Sequence, residues 1–351
     1  MADDDEMKAS AKAGKRLRLS ILDFNASFAK ITGGVMGVDD ALLDIFQTTR
    51  IDDYTLVNTV FFDGQSQAHD AKPPTWRGIA PLTKSSEQDI VAYLRALIAG
   101  MHKRGQQVIV SYTLDEGAGG SKPPGQGFNA WLAAATTAQV TAHAKQIVEF
   151  FVTTHKLEID GIDFDLEIIG LGKDPNHAPN LRTLYVETAK ALAVARPGAS
   201  VSYDNATFQV SDGKPAMSWF EAQPYAIATG APNLIARPMH NLGAKADAAQ
   251  IQKSIDIAMK VPGFTPSKLQ IIFSFFDIGK DKTIKILKST LAPAQVGYVL
   301  YNMGARSRDA AALTSFAKDC VEYDKALNGP SAAEPGKKGA PLQAPLPKAL
   351  P

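Results

Sequence analysis

The feature that most constrains this chain is a rhythm. Short runs rich in β-branched and aromatic residues recur at 17–22, 55–62, 107–113, 161–166, 200–203, 234–238, 269–275 and 297–301. Longer segments with helix signals fill the gaps between them. Residues 85–105 show the pattern: Ser and acidic residues open the segment, Ile90, Leu94, Leu97 and Ile98 recur at helical spacing, and basic residues with Gly105 close it. Eight strand-like runs alternating with helices, starting roughly 30 to 55 residues apart, predict an α/β chain folded as a single-domain TIM (β/α)8 barrel. An open doubly wound sheet is the alternative, favoured by a Gly-rich phosphate loop after the first strand. The segment there, DFNASFAKITGG, has neither a GxGxxG nor a Walker spacing.

Composition bounds the rest. Lys and Arg number 37 against 36 for Asp and Glu, a net charge of +1, so no electrostatic footprint for nucleic acid is present. Cys320 is the single cysteine, which excludes an intrachain disulfide and a cysteine-rich zinc site. The six histidines show no metal spacing, and no stretch approaches the roughly 20 apolar residues of a membrane span. The expectation is a monomer with no metal or cofactor and no nucleic-acid or membrane partner. Residues 1–15 read as a flexible N-terminal segment, 16–328 as the barrel and 329–351 as a Pro-rich flexible tail. No cleaved leader is recognisable, which leaves localisation open between the cytoplasm and a leaderless export route.

The fourth run, DGIDFDLE at 160–167, carries four carboxylates among core-type residues. Alternate residues of a barrel strand face the interior. Asp163, Asp165 and Glu167 then share the inward face with Gly161, while Ile162, Phe164 and Leu166 point to the helices. The carboxylates form a column climbing toward the C-terminal rim, where barrels keep their chemistry. Stacked at about 6.5 to 7 Å, they are not all able to stay ionised in a low-dielectric interior, so at least one proton is shared. A raised carboxyl pKa is what a general acid needs near neutral pH, and Glu167 is placed to be that acid.

The spacing D-G-x-D-x-D-x-E on a fourth barrel strand resembles the signature of glycoside hydrolase family 18, the chitinases and endo-β-N-acetylglucosaminidases. Asp160, Gly161, Asp163, Asp165 and Glu167 occupy its fixed positions. The resemblance implies a retaining, substrate-assisted reaction, in which the 2-acetamido oxygen of a GlcNAc-containing glycan attacks C1 and an oxazolinium ion forms. It implies Glu167 as acid and then base, Asp165 stabilising the acetamide, and Asp163 holding the shared proton.

Elsewhere the chain departs from that pattern. Of the S-x-G-G expected on the third strand only Ser111 is kept. On the sixth, Met239 matches, but Asn241 stands where a Tyr would support the acetamide carbonyl. Asn241 or Tyr203, near the end of the fifth strand, would supply that donor, and the choice stays open. Tyr301 replaces the Trp that floors the pocket, a substitution more like single-domain endo-β-N-acetylglucosaminidases than processive chitinases. About 20 residues separate the seventh and eighth strands, too few for the extra domain of many chitinases, so a shallow cleft is expected. Asn205, with Asp23, Asp204 and Asp277, falls just after a strand and near the same rim, where caps and turns are the commoner use.

Three other readings stand beside this one: a non-catalytic GlcNAc-glycan-binding barrel, a cell-wall peptidoglycan glucosaminidase, and a divalent cation held by Asp163, Asp165 and Glu167. Trp131 and Trp219 begin amphipathic segments and read as packing rather than sugar platforms.

Overall fold

Alternating strands and helices appear where the sequence pattern places them. The computed structural model describes residues 18–23, 28–32, 35–49, 51, 53–64, 71–76, 86–113, 127–166, 176–205, 221–239, 248–274, 279–301 and 310–328. Its strands are β1 (Arg18–Asp23), β2 (Ala29–Thr32), β3 (Val35–Val38), β4 (Asp53–Gly64), β5 (Ala71–Trp76), β6 (Gln107–Thr113), β7 (Gly161–Asp165), β8 (Ser200–Asn205), β9 (Leu234–Pro238), β10 (Gln270–Ser274) and β11 (Gly297–Tyr301). Eight of them pair in parallel in the order β10-β11-β1-β4-β6-β7-β8-β9. Parallel bridges from Ala236 to Leu269 and from Met239 to Ile272 join β9 to β10 and close the ring. The fold is a TIM barrel, and all eight expected strands are in it.

The helices obey local chemistry. In α1 (Asp40–Gln47) Asp39 caps the first turn through its carboxylate. Helix α2 (Glu87–Lys103) begins with a capping box between Ser86 and Asp89 and buries Ile90, Leu94, Leu97 and Ile98; Gly105 follows at φ 73°. After α3 (Gly127–Ala134), a second capping box, Thr136 with Gln139, starts α4 (Thr137–Val148). Helix α5 (His177–Ala195) packs on β7 and β8 through Tyr185, which meets Phe164 and Tyr203.

Strand parity builds the main core. Val108, Val110 and Tyr112 of β6, Ile162 and Phe164 of β7, Val201 and Tyr203 of β8, and Tyr298 and Leu300 of β11 face the helical layer and are buried in one cluster. Each such side chain contributes about 1.5–3 kcal/mol by leaving water. Phe164 lies 5.5 Å from the ring of Tyr112 and 4.9 Å from that of Tyr185 in α5, which fixes the outward direction of even-numbered residues in β7.

Elements beyond the expected eight also occur. The antiparallel pair β2–β3 follows β1, and β5 runs antiparallel along the far end of β4. Strand β5 contains Pro73 and Pro74 and, among the described strands, pairs only with β4, the edge position where proline is tolerated. The link from β10 to β11 contains a helix, α6 (Lys280–Ile286), and further helical turns to Ala294, with no inserted domain among the described residues.

Candidate active site

Odd-numbered residues of β7 face the barrel interior. Asp163 is fully buried there, at 0% exposure, while Asp165, one strand repeat nearer the C-terminal end, is partly exposed. Burial therefore loosens along the column toward the open rim. Gly161 and Asp163 are in register with Ile109 and Ser111 of β6 on one side and with Ser200 and Ser202 of β8 on the other. The Ser202 hydroxyl donates to Oδ1 of Asp163.

A cation lies beside that carboxylate. Arg237 of β9 is also fully buried, and its Nη1 stands 2.7 Å from Oδ1 of Asp163. The same nitrogen donates to Thr55 Oγ1 of β4 at 3.1 Å, and Nε donates to Gln270 Oε1 of β10 at 2.9 Å. Side chains from β4, β7, β8, β9 and β10 thus meet in one polar network. Asp204 is buried as well and faces Arg237 in register. Among the described residues on this interior face the carboxylates of Asp163, Asp165 and Asp204 outnumber the guanidinium of Arg237, an environment that favours a cation forming at the mouth.

Ser111 helps shape the wall beside the column. Between Leu56 and Val60, β4 spends four steps against two on β6. Thr59 locks this bulge: its amide donates to Ser111 Oγ at 3.3 Å, and its Oγ1 accepts from the Ser111 amide at 3.4 Å. Bulges of this kind re-aim side chains next to functional sites.

At the opposite end of β7, Asp160 is structural. Its Oδ2 accepts from the Val108 amide at 2.8 Å and lies 2.7 Å from His102 Nε2, tying α2 and β6 to the base of the acidic strand. The hydrogen bond to Asp160 raises the His102 pKa above its ordinary 6.5, against partial desolvation.

The proposed pocket residues divide. Met239 directly follows β9, in alternation with Arg237, is buried, and bridges to Ile272. Tyr203 requires a correction. It is on the outer face of β8, its ring stacked on Tyr185 at 4.7 Å and its hydroxyl donating to the Pro224 carbonyl. Tyr203 faces α5 rather than the barrel interior, so it is no candidate for the acetamide carbonyl. Asp204 and Asn205 belong to β8 itself rather than to a following turn. Glu167, Asn241, Asp277 and Trp219 lie outside the described residues, as do the side chains of Asp23, Asn205 and Tyr301. Trp131 is buried against Phe62, Phe128 and His143. Among the described residues no three His, Cys, Asp or Glu side chains are grouped to hold a metal ion, and no helix is long and apolar enough to cross a membrane.

Arg237 is the member of this site that sequence reasoning missed. Its only local signal was a charge interrupting an otherwise apolar run, LIARP.

No protein-family model and no curated protein sequence matches the chain. Solved structures do match in fold. A GH18 chitinase from Pseudoalteromonas aurantia is 17% identical, with 86% of this chain and 99% of that one covered at a TM-score of 0.52. The spore cortex-lytic enzyme SleL of Bacillus megaterium is 10% identical, with 86% and 73% covered at 0.53. A glycoside hydrolase family 5 enzyme from Prevotella bryantii, solved with a xyloglucan tetradecasaccharide, is 11% identical, with 90% and 98% covered at 0.51. These structural neighbours are TIM-barrel glycoside hydrolases of more than one family, and at such identities the likeness concerns the barrel.

Proposed function

We propose that this chain is a retaining glycoside hydrolase that cleaves β-1,4 linkages at N-acetylglucosamine by substrate-assisted catalysis, with endo-β-N-acetylglucosaminidase-like or chitinase-like specificity. The observation that carries the reading is the acidic column: Asp163 sealed and Asp165 half-open on the interior face of β7, with Glu167 next in alternation. In this reading Glu167 protonates the glycosidic oxygen while the substrate's acetamide oxygen attacks C1. Asp165 accepts the acetamide N–H and stabilises the oxazolinium ion, and Glu167 then takes a proton from the water that opens it. The surplus of carboxylates over Arg237 supports the reading, because positive charge develops on the sugar. Asn241, Met239, Asn205 and Tyr301 complete the pocket in this proposal.

The test is an incubation with chitooligosaccharides, high-mannose N-glycans and peptidoglycan fragments, followed by measurement of new reducing ends and product masses. Cleavage of one class is expected. Glu167→Gln should lower kcat by at least about 100-fold with thermal unfolding unchanged. Binding without cleavage by the wild-type protein would instead identify a glycan-binding barrel, and loss of activity on chelation would identify a metal-dependent one.

A further inference from the structure

Arg237 crosses the barrel interior from β9 to β4, strands that stand opposite each other in the ring of eight. A guanidinium carries five N–H donors in a fixed fork, and a buried donor is costly to leave without an acceptor. Three of the five are spent: Nε donates to Gln270, and Nη1 donates to Asp163 and to Thr55. The other two are both on Nη2, which is buried and meets no partner among the described residues.

The carboxylate supplies the matching half. Oδ1 of Asp163 accepts from both Arg237 Nη1 and the Ser202 hydroxyl, while Oδ2 is buried and meets no partner among the described residues. Arginine and carboxylate frequently close two parallel bonds; this pair closes one. Nη2 and Oδ2 are each joined through a single carbon to the atoms of that bond, so the open donor and the open acceptor belong to the same contact. The side chains around it are short. Ser111 of β6 and Ser202 of β8 flank Asp163 in register, and Thr55 meets the guanidinium from β4, where barrel interiors are more often filled by bulky branched residues.

We infer that the barrel interior is a binding site for a single water molecule, held between Arg237 and Asp163, which accepts from Nη2 and donates to Oδ2. The two open positions select this ligand. An anion would be repelled by the carboxylate and a cation by the guanidinium, whereas a small neutral molecule that both donates and accepts satisfies each. Water is the smallest of that class, and buried waters link two to four polar groups that the protein itself leaves unpaired. The bridge gives the ion pair its second, water-mediated prong, so both oxygens of Asp163 are fixed beneath Asp165. Arg237 and Asp163 are each at 0% exposure, so this water exchanges far more slowly than those on the surface. The inference is independent of the glycosidase reading.

The test is a crystal structure of the wild-type protein at a resolution that orders single waters. One density peak is expected within about 2.7–3.2 Å of both Nη2 and Oδ2. Three results overturn the inference: Nη2 resting directly on Oδ2, another side chain filling the contact, or no peak between the two atoms. A second measurement works in solution. Oxygen-17 relaxation dispersion of the water signal counts the waters held much longer than surface ones. Replacing both partners at once, Arg237→Met with Asp163→Leu, removes the site while leaving no lone buried charge, a change that barrels of packed apolar side chains can absorb. The count of long-lived waters should fall by about one in that double variant, and an unchanged count overturns the inference. Should the double variant fail to fold, the wild-type crystal structure decides by itself.

Discussion

Gly161 sits where three strands come closest. A Cβ at this position would meet the Ser200 carbonyl oxygen at 2.8 Å, Ser200 Oγ at 3.0 Å and Ile109 Cγ1 at 3.1 Å. Its backbone φ is not positive, so the requirement is for space between β6, β7 and β8. Gly161→Ala should destabilise the protein by about 1–3 kcal/mol, read as a lowered denaturant midpoint. An unchanged midpoint would mean that the Ser200 backbone yields freely. The same alternation that put Asp163 inside was legible in the sequence, because period two is a local property of one strand. Applied to β8 it also turns Ser202 and Asp204 inward and Tyr203 outward; weighing Tyr203 by its place near a strand end instead put it in the mouth. Arg237 was not legible in this way. Its partners Thr55 and Asp163 are 182 and 74 residues away, and no periodicity within one strand reports a pairing of that range.

At the scale of elements, the Ser-led acidic start of α2 and the run of β6 were visible because they depend on near neighbours; the box of Thr136 with Gln139 is equally local and went unread. The pair β2–β3 had a signal too, two glycines between short apolar runs. Strand β5 is harder to see, since its prolines argue against a strand and only its edge position reconciles them. The packing of α3 and α4 on β4 and β6 carries a consequence for pH. His143 of α4 is enclosed by Phe62, Trp131 and Tyr112, with its Nε2 2.6 Å from the Tyr112 hydroxyl. Burial pushes its pKa from 6.5 down to about 4, slightly opposed by Gln146. The unfolded chain therefore binds a proton that the folded one refuses between those values. Stability present above pH 6.5 is lost as pH falls through about 4, by roughly 3 kcal/mol from this group. His102 has the opposite sign: with its pKa raised by Asp160, its contribution is full below 6.5 and fades as pH rises through the folded value. His143→Gln should flatten the acid limb of a stability-against-pH curve measured by urea unfolding, while His102→Gln leaves that limb and lowers stability at mildly acid pH. Parallel acid limbs for wild type and His143→Gln would refute the assignment.

For the whole molecule, the ring has a seam that is thinly paired among the described residues, and side chains reinforce its two backbone bridges. Strands β9 and β10 meet through the bridges Ala236–Leu269 and Met239–Ile272, and Pro238 between them brings no N–H to a ladder. Arg237 and Gln270 stitch the middle of this seam. Lys268 closes its base: its ammonium is shared among the carbonyls of Ala228 at 2.8 Å, Ala231 at 2.6 Å, Pro232 at 3.0 Å and Leu234 at 3.4 Å. Partial burial lowers the Lys268 pKa, but the donors remain where the turn before β9 has carbonyls to satisfy. Lys268→Met leaves those oxygens without their donor, at about 1–3 kcal/mol. Because the seam has little backbone pairing in reserve, the loss should appear there first. Hydrogen exchange followed peptide by peptide should show β9 and β10 opening about tenfold faster in Lys268→Met, with β6 and β7 unchanged. Equal acceleration in all eight strands would mean that the ring opens only as a unit and that the seam is no weaker than the rest. The seam also joins stability to the proposed chemistry, since the arginine that bridges it is the one that holds Asp163.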